Sequence, residues 1–145
     1  MRVRLPALLL AAWLAAWLPG AAAAEPPSDT TALETDEIRA LFAGNTLYAE
    51  TLLERFADEP VRDFVIHLRA DGDLTIRNLD GNTDTGRWQV TDEGLFCNQY
   101  RHTRRGIRKC YEVREAADGS YRMWDIEDEK YSMAFTIEAG NPEAL

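Results

Sequence analysis

From residue 46 onward apolar side chains recur at every second position, and this period leaves few folds open to the chain. Residues 64–68, 74–76, 88–90 and 131–137 each follow the alternation, which is typical of half-buried β-strands. Turn sequences separate these alternating segments at intervals of about 8–12 residues. They are Asp71-Gly72-Asp73, Asp92-Glu93-Gly94 and Asp118-Gly119. The pattern predicts an all-β fold, an antiparallel meander of about eight strands that forms a small barrel or sandwich of lipocalin-like type.

The first 24 residues have a composition of their own and are predicted to be a secretory signal peptide. Arg2 and Arg4 precede an apolar run from Leu5 to Leu18, and Ala22 and Ala24 fit the small-residue positions before a cleavage site. A transmembrane anchor is the alternative, but a span needs about 20 apolar residues and this run is shorter. We therefore expect cleavage before Glu25 and a periplasmic or secreted protein.

Residues 25–34 are rich in proline and small polar residues, and they predict a flexible leader. One short helix is expected next, with Thr35 as its N-cap and Gly44 at its end. Ile38, Leu41 and Phe42 form one apolar stripe on it. Residues 35–145 are then expected to form a single β-barrel-like domain.

Cys97 and Cys110 are the only cysteines, and after export they predict a disulfide. A hairpin turn centred between Thr103 and Arg104 would place them opposite each other. The same register would direct Phe96, Tyr111, Tyr100 and Ile107 toward the core and the disulfide outward. A redox-active pair is the alternative, but the spacing does not match a Cys-x-x-Cys motif.

The segment between the cysteines is basic, although the chain carries a formal charge of −9. Arginine binds carboxylates and phosphates in bidentate geometry, so this hairpin is a candidate surface for an anion or a protein partner. The alternative is a solvated hairpin tip that pairs with the acidic surface around it. The overall acidic charge argues against a nucleic-acid partner. The candidate binding residues are Arg101, His102, Arg104, Arg105, Arg108 and Lys109.

Aromatic residues on the predicted strands are candidates for the lining of a cavity. An eight-stranded barrel has an interior that side chains can fill or that can hold one small ligand, so a simple filled core is the alternative. The candidates are Trp88, Tyr100, Tyr111, Tyr121, Trp124 and Phe135.

Motifs for catalysis or metal binding are incomplete. Asp80, Asn82 and Asp84 resemble the start of a calcium loop, but Thr85 and Thr91 stand where that loop needs glycine and glutamate. The two histidines, His67 and His102, are far apart in sequence and suggest no third zinc ligand. We therefore expect no enzyme activity, no metal and no cofactor.

Several short motifs together resemble a family of small exported proteobacterial proteins that is classed as a domain of unknown function. The similar segments are residues 37–46, residues 86–90 followed by Cys97, residues 110–113 and residues 140–143. The resemblance implies a small all-β periplasmic protein with no assigned activity. The stretch from Glu50 to Asp63 departs from it, because alternation there is poor and a second short helix is an option.

These observations favour a non-catalytic periplasmic binding protein. We expect a protein-partner or envelope-associated module that uses the Arg-rich hairpin as its contact. The alternative is a lipocalin-like carrier or sensor of a small apolar or anionic ligand in the barrel interior. An unknown periplasmic protein or a small ligand is the expected partner, with neither nucleic acid nor a membrane span after signal cleavage.

Overall fold

The computed structural model describes residue 26 and residues 28–52, 63–78 and 80–145. The predicted signal peptide lies outside the described residues, as does most of the irregular stretch before Asp63. One helix and nine strands follow in the order β1 Thr30–Ala32, α1 Thr35–Phe42, β2 Asn45–Thr51, β3 Asp63–Leu68, β4 Asp73–Arg77, β5 Thr83–Val90, β6 Leu95–Tyr100, β7 Lys109–Ala116, β8 Tyr121–Asp125 and β9 Lys130–Glu138.

Strands β2 to β9 form a closed antiparallel barrel. Each strand pairs with the next along the chain, and β9 returns to pair with β2, which closes the ring. The all-β prediction with about eight strands is therefore confirmed, and of the two predicted architectures the barrel is correct. Closure gives each of these eight strands a neighbour on both sides, whereas an open sheet would have two edge strands to protect from other chains.

The predicted alternation directs one side of each strand into the barrel. Ile66 and Leu68 on β3 face inward with Leu74 and Ile76 on β4, and all four are buried. The buried cluster continues around the barrel through Leu47, Phe96, Val113, Met123 and Phe135. An inward row on every strand gives the small chain one continuous hydrophobic core.

Helix α1 packs its apolar stripe against the barrel core. Ile38 and Phe42 are fully buried, and the Phe42 ring lies 4.8 Å from Phe96 and 5.8 Å from Phe135, centroid to centroid. The helix begins at Thr35, so Glu34 rather than Thr35 is the N-cap, and its backbone N–H donates to Glu37 Oε2 at 2.7 Å. Burial in the core explains why so short a helix forms.

The leader predicted over residues 25–34 contains a strand. Thr30–Ala32 pairs with β7 beyond the point where β6 ends, since Ala32 lies opposite Arg114 whereas Leu95 of β6 lies opposite Glu112. No strand was predicted here, because three residues are too few to show alternation. Strand β1 covers a length of the β7 edge that β6 leaves open.

An irregularity interrupts the alternation predicted for residues 131–137. Met133 pairs with Met123, but Tyr131 pairs with Trp124, so Ser132 is an extra residue in β9. Such a bulge shifts the side on which following residues lie. Tyr131 consequently packs edge-on against Trp124 rather than facing inward with Met133 and Phe135.

The up-and-down order places alternate connections at opposite ends of the barrel. The turns β3–β4, β5–β6 and β7–β8 lie at the end where α1 packs, which we call the helix end: Gly44 N–H donates to Leu68 O, and Arg39 Nη2 donates to Val90 O. The connections β2–β3, β4–β5, β6–β7 and β8–β9 lie at the opposite end, which we call the rim. Among the described residues no helix is long and apolar enough to cross a membrane.

Candidate functional site at the barrel rim

The predicted basic segment, residues 101–109, is the β6–β7 connection at the rim, and we call it the basic hairpin. Its tip is a single turn over Thr103–Gly106 in which Arg104, Arg105 and Gly106 have φ of 54°, 57° and 72°. Left-handed backbone is natural for glycine but costs other residues about 1–2 kcal/mol each. Two consecutive arginines therefore hold a backbone conformation that their surroundings must enforce.

The disulfide is one of the features that enforce the backbone conformation of this turn. Cys97 and Cys110 are bonded and lie directly opposite each other on β6 and β7, and Phe96 lies opposite Tyr111. The disulfide and this register are confirmed. Cys97 lies on the side of β6 that faces away from the core, as expected, although it is only 1% exposed.

The expected inward direction of Ile107 is wrong. Its side chain is 56% exposed. Regular pairing of β6 and β7 stops at Asn98 and Lys109, so strand parity no longer applies beyond these residues. The left-handed turn decides where Ile107 points instead.

Asp84 on β5 anchors the start of the turn. Its Oδ2 accepts backbone N–H bonds from His102 at 2.9 Å and from Thr103 at 2.6 Å. Partial burial opposes ionisation, but these hydrogen bonds hold the pKa of Asp84 at about 2. The Gln99 side chain donates to Gly106 O at 2.8 Å and fixes the other side of the turn.

Arg104 turns back from the hairpin tip into the barrel opening. Its Nη1 donates to the Tyr111 hydroxyl at 2.6 Å, its Nη2 donates to Asn98 Oδ1, and its guanidinium lies 4.9 Å from the Tyr100 ring centroid. Its Nε is buried and has no hydrogen-bond partner. Burial raises the pKa of both tyrosines, so the partners of this cation are neutral.

Three other arginines of the basic hairpin are directed into solvent. Arg101, Arg105 and Arg108 are exposed, and no carboxylate of the described residues lies within 4 Å of their guanidinium groups. His102 is exposed beside them. The six predicted binding residues therefore do not form one surface. Arg104 points inward, whereas these four form an outer surface.

Lys109, the sixth predicted binding residue, belongs to a cluster with the β8–β9 connection. Its Nζ lies 3.1 Å from Asp125 Oδ2, 3.1 Å from Glu127 Oε2 and 3.3 Å from Asp128 Oδ2. Burial opposes the charges, but hydrogen bonds raise the pKa of Lys109 and lower that of Asp125. We call residues 125–129 the acidic turn. Lys109 joins it to the basic hairpin.

A groove on the outside of the barrel continues the basic surface away from the tip. It has a volume of about 630 Å³ and runs over β4, β5 and β6. Arg101 and Gln99 line it near the hairpin, while Arg87 lies farther along and pairs with Asp73 at 3.2 Å. Arg101 therefore provides a charge at the hairpin end of this groove, with no carboxylate partner in the part of the chain that the structure describes.

The six aromatic residues proposed to line a cavity do not lie together. Tyr100, Tyr111 and Phe135 are buried within the continuous core, and Trp88 and Tyr121 are partly buried against it. Trp124 lies on the outer side of β8 beside Tyr131, with ring centroids 5.2 Å apart. The inward-facing aromatics thus contribute to a packed interior.

Two rim residues were not singled out from the sequence. Leu52, directly after β2, and Ile126, directly after β8, are each 39% exposed. Together with Ile107 they are the exposed large hydrophobic side chains of the described part of the chain. Strand alternation does not identify them, because they lie just past the last paired residue of a strand.

The described residues contain no group of three side chains suited to a metal ion. Asp84, considered above as part of a calcium-like sequence, has both carboxylate oxygens engaged by backbone N–H groups, since Oδ1 accepts from Thr85 at 2.8 Å. Asp84 therefore stabilises the backbone of the hairpin turn.

No protein-family model, curated protein or solved structure matches this chain. The resemblance to exported proteins of unknown function stays a prediction. The function is therefore argued from the rim itself.

Proposed function

We propose that this protein acts after export as a non-catalytic binding protein, and that its contact surface is the basic hairpin at the rim. The observation that supports this most directly is Ile107, which is 56% exposed between Arg105 and Arg108. An apolar anchor flanked by arginines is a composition enriched in protein–protein contacts.

The charge distribution supports an acidic partner. The whole chain carries −9, and loss of the predicted signal peptide would remove two arginines and no acidic residue. Even so, Arg101, Arg105 and Arg108 have no carboxylate within 4 Å among the described residues. Guanidinium groups without a described carboxylate partner can engage carboxylates of another molecule in bidentate geometry.

Rigidity of the hairpin is a second support. The disulfide, Asp84, Gln99 and the inward Arg104 fix its backbone from four sides. A contact surface that is already ordered loses less conformational entropy when it binds.

The test is a charge reversal with a matched control at the other end of the barrel. We expect Arg105→Glu/Arg108→Glu to abolish retention of the partner from a periplasmic extract. Arg39→Glu/Arg122→Glu at the helix end makes the same change in net charge and should leave retention intact. Retained proteins are quantified by mass spectrometry, and circular dichroism verifies that both variants fold. Equal retention by the two variants would contradict the proposal, as would a wild-type protein that retains nothing.

A carrier of a small anionic ligand is the second candidate, and one observation favours it. Arg104 is withdrawn into the barrel opening with only neutral partners and with a buried Nε that makes no hydrogen bond. A half-buried cation without an anionic partner among the described residues is costly, and a ligand carboxylate would offset that cost. Native mass spectrometry of gently purified protein would show a reproducible adduct of small mass, and Arg104→Met would remove it.

A further inference from the structure

The exposed large hydrophobic side chains of the described residues all lie at one end of the barrel. Leu52 follows β2, Ile107 lies in the basic hairpin and Ile126 begins the β8–β9 connection, so all three are at the rim. Around the barrel the strands run in the order β2, β9, β8, β7, β6, which makes these three connections neighbours. Isolated exposed aliphatic residues are ordinary, but three on adjacent connections at one end indicate a contact surface.

Charges of opposite sign lie side by side on the same surface. The basic hairpin presents Arg105 and Arg108, and the neighbouring acidic turn presents Glu127, which is 63% exposed, and Asp128, which is 50% exposed. Glu129 is exposed and has no charged partner among the described residues. Each half carries one of the exposed isoleucines, Ile107 in the hairpin and Ile126 in the turn.

A surface with adjacent positive and negative halves is complementary to a copy of itself. In a two-fold contact both subunits use the same patch. Each contact therefore occurs twice, once from each copy to the other. An axis between the two connections would bring each basic hairpin onto the acidic turn of the other copy, with the isoleucines between them.

Other occupants satisfy only part of this surface. A uniformly acidic partner would be attracted by the hairpin but repelled by Glu127, Asp128 and Glu129. An anionic membrane would meet the same repulsion beside Ile126. A second copy is the occupant that matches both halves.

We infer that the rim is a self-association surface, on which two copies of this chain pair about a two-fold axis, basic hairpin to acidic turn. This deepens the proposed function, because it names the partner of the hairpin. The patch is small, so the dimer is expected to be concentration-dependent, as contacts of limited area usually are.

The experiment is a charge exchange followed by sedimentation velocity over a concentration series of the exported, disulfide-bonded protein. The hairpin variant is Arg105→Glu/Arg108→Glu, and the turn variant is Glu127→Lys/Glu129→Lys. In a homodimer of either variant, like charges face each other across the two-fold contact. We therefore expect the dimer dissociation constant to rise at least about tenfold. In the turn variant Lys109 keeps Asp125 and Asp128 as partners, and circular dichroism confirms the fold.

An equimolar mixture of the two variants is the decisive sample. In the heterodimer every hairpin again faces a turn of opposite charge, so we expect dimers to return in the mixture only. A wild-type chain that stays monomeric at the highest concentration overturns the inference, and so does a mixture that does not recover. If the wild type is monomeric while its hairpin still retains a different protein from extract, only the self-association is wrong. If dimers form as expected and no other protein is retained, the self-association holds and the proposed binding of a different protein is wrong.

Discussion

Arg104 shows how one residue can be basic in sequence and structural in the fold. It holds left-handed backbone, with φ of 54°, and its guanidinium contacts Asn98, Tyr100 and Tyr111 inside the barrel opening. Arg105, with φ of 57°, makes no such contacts and stays exposed. Two adjacent arginines with the same backbone conformation therefore form a natural comparison.

We expect Arg104→Ala to lower the free energy of unfolding by about 1–3 kcal/mol, because it removes two hydrogen bonds and leaves Asn98 and Tyr111 without that partner. Arg105→Ala keeps the same backbone strain and loses no buried contact, so its effect should stay within about 0.5 kcal/mol. Urea unfolding followed by fluorescence measures both. Similar values for the two variants would show that Arg104 does not brace the hairpin.

Asp84 predicts a pH dependence at acid pH. Its folded pKa of about 2 lies below the value of about 3.9 in unfolded chains. Its contribution to stability is therefore complete above pH 4 and is lost as the pH falls toward 2.

We expect Asp84→Asn to lower stability at pH 7 by about 1 kcal/mol, since the amide is a weaker acceptor for the His102 and Thr103 N–H groups. The gap between wild type and variant should shrink between pH 4 and pH 2. Asp80→Asn, an exposed change in the β4–β5 connection, serves as the control. Urea unfolding at several pH values gives the comparison, and a gap that does not change with pH would contradict this role of Asp84.

At the scale of the elements, Gly86 marks a close approach of β5 to the backbone of β6. A Cβ at this position would lie 2.2 Å from Gln99 O and 2.9 Å from Tyr100 Cα, both backbone atoms. Glycine within a strand often marks such a close approach. The packing of Tyr100 beneath the basic hairpin therefore depends on the missing side chain of Gly86.

Gly86→Ala is expected to destabilise the protein by about 2–3 kcal/mol, because backbone must move to admit the methyl group. Gly81→Ala is the matched control. Gly81 has φ of 77° but no atom within 4 Å of its added Cβ, so only the strain of about 1 kcal/mol applies. Thermal unfolding separates the two changes, and an equal loss in both would mean that β5 and β6 can readily separate.

The elements also show what alternation can and cannot predict. Long inward rows such as Ile66 and Leu68 follow the two-residue period, and the opposition of Cys97 and Cys110 follows from the hairpin centre. Strand β1 and the extra residue Ser132 could not be predicted in this way. A three-residue strand is too short to show the two-residue period, and a bulge interrupts that period. Ile107 lies past the last paired residue, where backbone conformation and not parity sets its direction.

At the scale of the whole molecule, β1 ties the N-terminal segment to the closed barrel. It pairs with β7 over Thr30–Ala32, the Arg114 Nε donates to Thr30 Oγ1 at 2.7 Å, and Leu33 N–H donates to Val113 O at 2.9 Å. The barrel ring itself does not include this strand.

A chain that starts at Glu34 is expected to keep the β-rich circular dichroism spectrum of the barrel but to unfold at lower urea concentration than one that starts at Glu25. A chain that starts at Asp29 retains β1 and should match the longer form. The reason is that loss of β1 uncovers part of the β7 edge, which also favours aggregation. If all three chains unfold alike, β1 adds no stability.

The composition of the rim could not be predicted from the sequence, because it depends on which connections close together around the ring. Leu52, Ile107 and Ile126 are separated by 55 and 19 positions in the chain. Pairing of β7 with β8 makes the connections of Ile107 and Ile126 neighbours, and barrel closure between β9 and β2 adds Leu52. The basic hairpin itself was predictable, since its five arginine and lysine residues and His102 lie within nine consecutive positions.

Strand β1 also fixes the direction from which the chain enters the barrel. Thr30 lies opposite Ala116, next to the β7–β8 turn, so the segment before it arrives at the helix end. A tether attached ahead of Thr30, whether a fusion partner or a solid support, would therefore hold the molecule with its rim facing outward. Binding measurements should immobilise the protein from this side, because attachment through rim residues would cover the surface under test.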